Sequence, residues 1–167
     1  MTSMVPVDRR LGVTAAAGFG AAGVACGLKE SGGPDLALVV GDPGTVAAGV
    51  FTTNQVVAAP VVWSRNRLAS SGDARVVVLN SGNANACTGP AGEAAVLATV
   101  ERAAAELGCR AEQVLVCSTG VIGMPLDVGR VTDGVAKATS ALDRSGGAAA
   151  AQANLTTDTV VKQAGVR

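Results

Sequence analysis

The stretch from 74 to 117 narrows the folds open to this chain more than any other. Ala74-Arg75-Val76-Val77-Val78-Leu79-Asn80 has the β-branched enrichment of a strand. It runs into the polar loop Ser81-Gly82-Asn83-Ala84-Asn85-Ala86-Cys87-Thr88-Gly89, and Pro90 fits the first turn of a helix. Val96, Leu97, Val100, Ala103, Ala104 and Leu107 then recur at three- and four-residue spacing, which is one helical face. Gly108 supplies a C-terminal cap, and Val114-Leu115-Val116-Cys117 reads as a further short strand.

The flanking sequence extends this alternation. Asp35 to Val40 reads as a buried strand closed by the turn Gly41-Asp42-Pro43-Gly44, and Val46 to Phe51 as a second strand pairing back in a hairpin. Asn54 to Pro60 is an extended connection, and Ser64 caps a short helix through Leu68. Ser118 to Gly123 forms a turn. Asp127 caps a helix reaching Leu142, Ser145-Gly146-Gly147 breaks it, and Ala148 to Asn154 is helical. Thr156 to Arg167 returns to strand composition. The order is ββ(α)βαβααβ, a mixed α/β or α+β fold, with an N-terminal arm over 1–12 and one unit over 13–167. Val160 to Arg167 reads as a strand still in progress, so we expect another polypeptide to continue the sheet.

Composition narrows the chemistry. The 167 residues carry 13 Lys and Arg against 13 Asp and Glu, a net charge of zero, so no basic surplus exists for nucleic acid. Apolar runs are broken well before the length of about 18 residues that a membrane span needs. The N-terminus, with Asp8, Arg9 and Arg10, lacks an apolar signal segment, and we expect a cytoplasmic protein. The chain has no His and no Tyr, which excludes a Ser-His-Asp or Cys-His system within it, and any His-ligated metal site. We expect no metal and no cofactor. Cys26, Cys87, Cys109 and Cys117 form no C-x-x-C pair and are expected as buried free thiols. Aromatics are 2 % (Phe19, Phe51 and Trp63), so the core must be built of Val, Leu, Ile and Ala, a composition that hints at an obligate partner surface.

Four motifs invite a functional reading. Gly18-Phe19-Gly20-Ala21-Ala22-Gly23 matches G-x-G-x-x-G, with Asp42 at ribose-contact spacing. No apolar strand precedes it and no convincing helix follows, so a chance match in a Gly-rich chain is the better reading. The loop Asn80 to Gly89 is either a site at a sheet edge or an Asn-rich turn. Ser118-Thr119-Gly120 is either an ordinary turn or a place where a hydroxyl and backbone N–H groups converge as an oxyanion requires. Thr156-Thr157-Asp158-Thr159, as a strand, puts Thr157 and Thr159 on one face. A solvated edge strand or a helix cap accounts for it equally.

Taken together these segments resemble the ornithine acetyltransferase family, also called glutamate N-acetyltransferase or ArgJ-type. The resemblance rests on Asn80-Ser81-Gly82-Asn83-Ala84-Asn85-Ala86-Cys87-Thr88-Gly89, Ser118-Thr119-Gly120-Val121-Ile122-Gly123 and Thr156-Thr157-Asp158-Thr159 in order. Gly18-Phe19, Ala22-Gly23-Val24, Asp35 to Leu38, Ala48 to Thr52 and Ala58-Ala59-Pro60 support it. It implies an α chain cut from a self-cleaving precursor, and an N-terminal-nucleophile-like αββα sandwich completed by a second, β chain in an α2β2 heterotetramer. The nucleophile would be the N-terminal Thr of that β chain, with its own α-amino group as base. Thr119 and Gly120 match the family's oxyanion-hole pair, and Thr156 its substrate-binding Thr. The implied reaction is ping-pong acetyl transfer from N-acetylornithine to glutamate, releasing ornithine, with acetyl-CoA as a further co-substrate. Gly20, Val161, Asn154, Leu155 and the residues around Asp127 depart from the family pattern. A paralogue of specialised metabolism with an altered donor or acceptor is the alternative within that chemistry. A nucleotide-binding module on Gly18 to Gly23 and a non-catalytic interaction subunit are the alternatives outside it.

Overall fold

A computed structural model describes residues 7–8 and 12–166. The arm expected over 1–12 therefore lies largely outside the described residues. Two sheets are present among the described residues. The small one pairs β1 (Val7–Asp8) antiparallel with β6 (Gly165–Val166). The main sheet has the order β2-β3-β4-β5, with β2 Phe19–Val24, β3 Leu36–Gly41, β4 Val76–Asn83 and β5 Val114–Val121. Its first two pairings are antiparallel and β4·β5 is parallel. The crossover from β4 to β5 is the long helix α2, Gly89–Leu107, whose C-cap Gly108 adopts the left-handed conformation at φ 59°.

α2 and α3 (Val128–Ser140) cover one face of the sheet. There Leu36 and Leu38 of β3, Val76 and Val78 of β4 and Val114 of β5 meet Val100, Val131 and Val135, all essentially without exposure. α3 starts where expected, since the Asp127 carboxylate accepts a hydrogen bond from the Arg130 amide at 3.1 Å. The opposite face has one short cover, α4 (Gly147–Ala153), over Ala21 and Ala37.

Several sequence expectations are corrected. Val46 to Phe51 is not a strand: Val46 makes an isolated bridge to Asp73, and Val50 is fully exposed. Both edges of β3 are already taken, by β4 and by β2, so no edge remains for a hairpin partner. Phe19–Val24 has poor strand propensity but forms β2, because α4 lies so close that only small residues fit. A Cβ on Gly23 would fall 2.0 Å from the Ala149 carbonyl oxygen, and one on Gly146 1.8 Å from that of Ala21. The helix assigned to 64–68 is α1, Ala59–Ser70, with Pro60 in its first turn. Ser64 is not its cap. It lies buried mid-helix, where its Oγ donates to the Val116 carbonyl at 2.9 Å and accepts the Val116 amide at 3.0 Å. Trp63 Nε1 donates to the Val114 carbonyl at 2.9 Å, so α1 seals the outer edge of β5. The segment 156–164 is irregular, and only Gly165–Val166 forms a strand, in the small sheet. Strand composition needs a partner edge, and residues 156–164 find none among the described residues.

Candidate active site

β4 and β5 run three to four residues beyond their apolar cores, so the turns expected at Ser81 and Ser118 begin as strand. Ser81 pairs with Thr119 and Gly82 with Gly120, and a register shift follows at Gly82/Asn83. Gly120 has φ 137°, and a Cβ there would stand 2.3 Å from the Gly82 carbonyl carbon. No other residue fits this crossing of two backbones without displacing one of them. Thr119 and Gly120 are exposed and line an open cleft of about 860 Å³. Lys29, Glu30, Met124, Thr156 and Thr157 line the same cleft. The structure thus brings Thr119, Gly120 and Thr156 together at one cleft. Thr156 to Thr159 are exposed and irregular, not a strand with alternating faces.

The Asn-rich segment braces this cleft. Asn80 Nδ2 donates to the Asn83 carbonyl at 2.7 Å, and its Oδ1 accepts the Ser118 hydroxyl at 2.5 Å. Asn83 Nδ2 donates to the Met124 carbonyl at 3.1 Å, and its Oδ1 accepts the Asn85 amide at 2.7 Å. Asn85 is buried at φ 46°, donates to the Gly92 carbonyl at 2.9 Å and accepts the Thr88 hydroxyl at 2.8 Å. Asparagine tolerates the left-handed conformation, and its amide can donate and accept at once. Each of the two readings the sequence left open holds for part of the segment: Gly82 and Asn83, at the end of β4, line the cleft, and Asn85 takes the positive φ of an ordered turn.

One group escaped the sequence reading. The Asp35 carboxylate, at the head of β3, has no exposure and accepts the amides of Cys26, Gly27, Leu28 and Lys29. Burial alone raises this carboxyl, but the hydrogen bonds from Cys26, Lys29 and Leu28 outweigh it and hold the group below the usual carboxylate range. Burial and then Asp35 push the Cys26 thiol up to about 12. The signal was present as Gly33-Pro34-Asp35 ahead of an apolar run, an acid where a strand should begin.

The remaining candidates separate from the cleft. The G-x-G-x-x-G string lies in a turn and in β2, which is followed by β3 and not by a helix. Asp42 is engaged by Arg144 at 2.7 Å. All four cysteines are free, but Cys87 and Cys117 are exposed, which corrects the expectation of burial. Cys117 is exposed because its side of the sheet lies beyond α4. Among the described residues no group of His, Cys, Asp and Glu could hold a metal ion, and no helix is long and apolar enough to cross a membrane.

Comparison with known proteins gives this geometry a context. The family model described as "ArgJ family" matches residues 20–167. The Streptomyces coelicolor "Arginine biosynthesis bifunctional protein ArgJ" is 56 % identical over 153 residues, covering 91 % of this chain and 40 % of the relative. The protein of the same name from Thermosynechococcus vestitus is 52 % identical over 152 residues, covering 91 % and 36 %. The chain therefore spans roughly two fifths of the length of these curated relatives. The crystal structure of Mycobacterium tuberculosis ornithine acetyltransferase complexed with ornithine superposes with a TM-score of 0.93 at 50 % identity, covering 96 % of this chain and 87 % of that one. The Bacillus halodurans arginine biosynthesis bifunctional protein structure superposes with a TM-score of 0.85 at 31 % identity, covering 99 % and 94 %. By sequence and by fold, the chain belongs to the ArgJ family.

Proposed function

We propose that this chain is the α-chain portion, over 13–167, of an acetyltransferase that moves an acetyl group from N-acetylornithine to glutamate. The observation that carries the reading is the convergence of Thr119, Gly120 and Thr156 on one cleft at the ends of β4 and β5. Two further facts support it. The chain covers most of two solved chains of the family but only about two fifths of its curated relatives, as expected of a protein divided into two polypeptides. One solved relative, from Mycobacterium tuberculosis, was crystallised with ornithine.

In this reading the N-terminal threonine of the second chain attacks the acetyl carbonyl of N-acetylornithine. Its own α-amino group, with an ordinary pKa of about 7.7–8.0, takes the hydroxyl proton and returns it to the departing amine. That base suits a chain without histidine. Negative charge gathers on the carbonyl oxygen in the tetrahedral intermediate, and donors from Thr119 and Gly120 stabilise it there. Ornithine leaves, the amine of glutamate attacks the acyl-enzyme, and N-acetylglutamate departs. Thr156, which lines the cleft, binds substrate. Acetyl-CoA is a second acetyl donor, the assembly is α2β2, its second sheet completes an αββα sandwich, and the enzyme works in the cytoplasm. Leu155, one of the departures from the family pattern, lines a neighbouring cavity with Ala150 and Asn154 and not this cleft.

The test is acetyl exchange by the complete protein. N-acetylornithine and labelled glutamate should yield labelled N-acetylglutamate, with ornithine released in equal amount. Release of ornithine and acetate without transfer, or no turnover with any acyl amino acid, would contradict the reading.

A further inference from the structure

We infer that Asp35 is a positioning residue for this reaction: its carboxylate holds residues 26–29 as the joint between the strand end carrying Thr119 and Gly120 and the segment carrying Thr156. The inference rests on the proposed acetyl transfer.

The contacts run in both directions from the carboxylate. Oδ1 accepts the Cys26 amide at 2.7 Å, and Oδ2 accepts those of Gly27, Leu28 and Lys29 at 3.0, 2.6 and 3.0 Å. Successive amides turned onto one anion form a concave nest that an ionised carboxylate fills better than a neutral group can. With the N–H groups turned inward, carbonyls of the loop face other elements. The Gly27 carbonyl accepts the Arg130 guanidinium of α3. The Leu28 carbonyl oxygen lies against Gly82, so close that a Cβ there would stand 3.0 Å from it. Gly82 in turn is the backbone against which Gly120 crosses. The carbonyl of Asp35 itself accepts the Ser81 amide at 2.8 Å, one residue before Gly82.

On the other side Lys29 Nζ donates to the Pro34 carbonyl at 2.7 Å and to the Ala153 carbonyl at 3.4 Å. Ala153 ends α4, three residues before Thr156. The Ser81 hydroxyl reaches the same Ala153 carbonyl at 2.5 Å. A loop whose shape is set by one buried anion therefore touches both Gly82, where Gly120 crosses, and the end of α4 that leads to Thr156. Relaxing it moves Gly82 and Gly120 relative to Thr156, and acyl transfer is sensitive to displacements of that size.

The experiment uses the complete protein with Asp35→Asn, Arg130→Gln and the double variant, all measured well below their unfolding temperatures. Hydrogen exchange at 26–29 should accelerate in Asp35→Asn, because an amide nitrogen now faces N–H groups that lost an acceptor. The kcat for acetyl exchange should fall about tenfold to a hundredfold per folded, assembled enzyme. Arg130→Gln, at an exposed side chain that also lines the cleft and pairs with Asp127 at 3.2 Å, should lower kcat about threefold or more and accelerate exchange at 26–29, without moving the unfolding midpoint; a lower kcat with exchange at 26–29 unchanged would place its effect in the cleft and overturn the loop's role. The double variant should lose less than the product of the two, because both act through one loop. Accelerated exchange with kcat unchanged would reduce Asp35 to a fold-stabilising role and overturn the inference, as would strictly multiplicative losses. If Asp35→Asn does not assemble, Arg130→Gln decides, and an unchanged kcat overturns it. A wild-type protein without acetyl exchange would defeat the proposed function, whereas an active wild type matched by Asp35→Asn would defeat this inference alone.

Discussion

The two faces of the main sheet are built on opposite terms. On one, Leu38, Val78 and Val114 are sealed beneath α2 and α3, and the cluster includes buried apolar residues from every strand and from both helices. On the other, α4 contributes two alanines, Val39 and Leu79 are half-buried, and Cys117, Thr119 and Val121 are exposed. Strand alternation forces this pairing: β5 cannot bury Val114 and Val116 on one side without turning Cys117 and Thr119 to the other. The closed face gives the chain its cohesion. The open face carries the proposed chemistry at its β5 end, where Cys117, Thr119 and Val121 lie outside the small alanine cluster under α4.

That division can be broken by substitution. Gly120→Ala has the largest expected effect, because it joins a forbidden φ to a Cβ 2.3 Å from the Gly82 carbonyl carbon. Acetyl exchange should become undetectable, at a cost in stability of at least about 2 kcal/mol. Normal activity in this variant would mean that the crossing of Gly82 and Gly120 has no part in the site. Leu38→Ala, on the closed face, should cost about 2–5 kcal/mol in urea unfolding while leaving kcat of the folded enzyme unchanged. Thr119→Ala should do the reverse. Turnover should drop by about 2.7–4 kcal/mol of barrier, the loss expected for one oxyanion donor, with no change in the unfolding midpoint. A Thr119 variant that unfolds early but turns over normally would erase the contrast between the faces.

Acid provides a finer probe. Asp35 is held below the ordinary carboxylate value by backbone amides, so its folded pKa lies under its unfolded value of about 3.9. The stability it contributes is complete above that unfolded value and is lost as pH falls through the lowered folded one. The groups around it are the Cys26 thiol, neutral throughout this range, and Lys29, charged throughout it. Asp35→Asn should therefore flatten the acid limb of an unfolding-against-pH curve, and an unaltered limb would show that other carboxylates set it. Cys117→Ala is the smallest change, within about 0.5 kcal/mol for the chain by itself. A loss larger than Leu38→Ala would show that the open face is packed after all.

The sequence was most legible where propensity and burial agree. β3, β4, α2 with its Gly108 cap, and the Asp127-capped start of α3 follow from apolar periodicity and local capping chemistry. It was least legible where tertiary packing overrides propensity. Gly18 to Gly23 read as a chance match in a Gly-rich chain, yet Gly23 of β2 is a residue that lets α4 approach the sheet. Val46 to Phe51 read as a strand but had no edge to join. Ser64 read as a cap, and its partner turned out to be Val116, distant in sequence. At the candidate site, Thr119, Gly120 and Thr156 were named from the resemblance, and their convergence needed the fold. Asp35 was hidden because its partners are backbone amides, which leave no mark in residue identity.

The central claim is that this chain lends hydrogen-bond donors to a nucleophile carried on another polypeptide. Rapid mixing of the complete protein with N-acetylornithine, followed by intact mass measurement of each chain, tests it directly. The account predicts one acetyl group on the partner polypeptide, none on these 167 residues, and acetylation slowed about a hundredfold or more by Thr119→Ala. Acetyl found on this chain, or an undiminished rate in the variant, would contradict it.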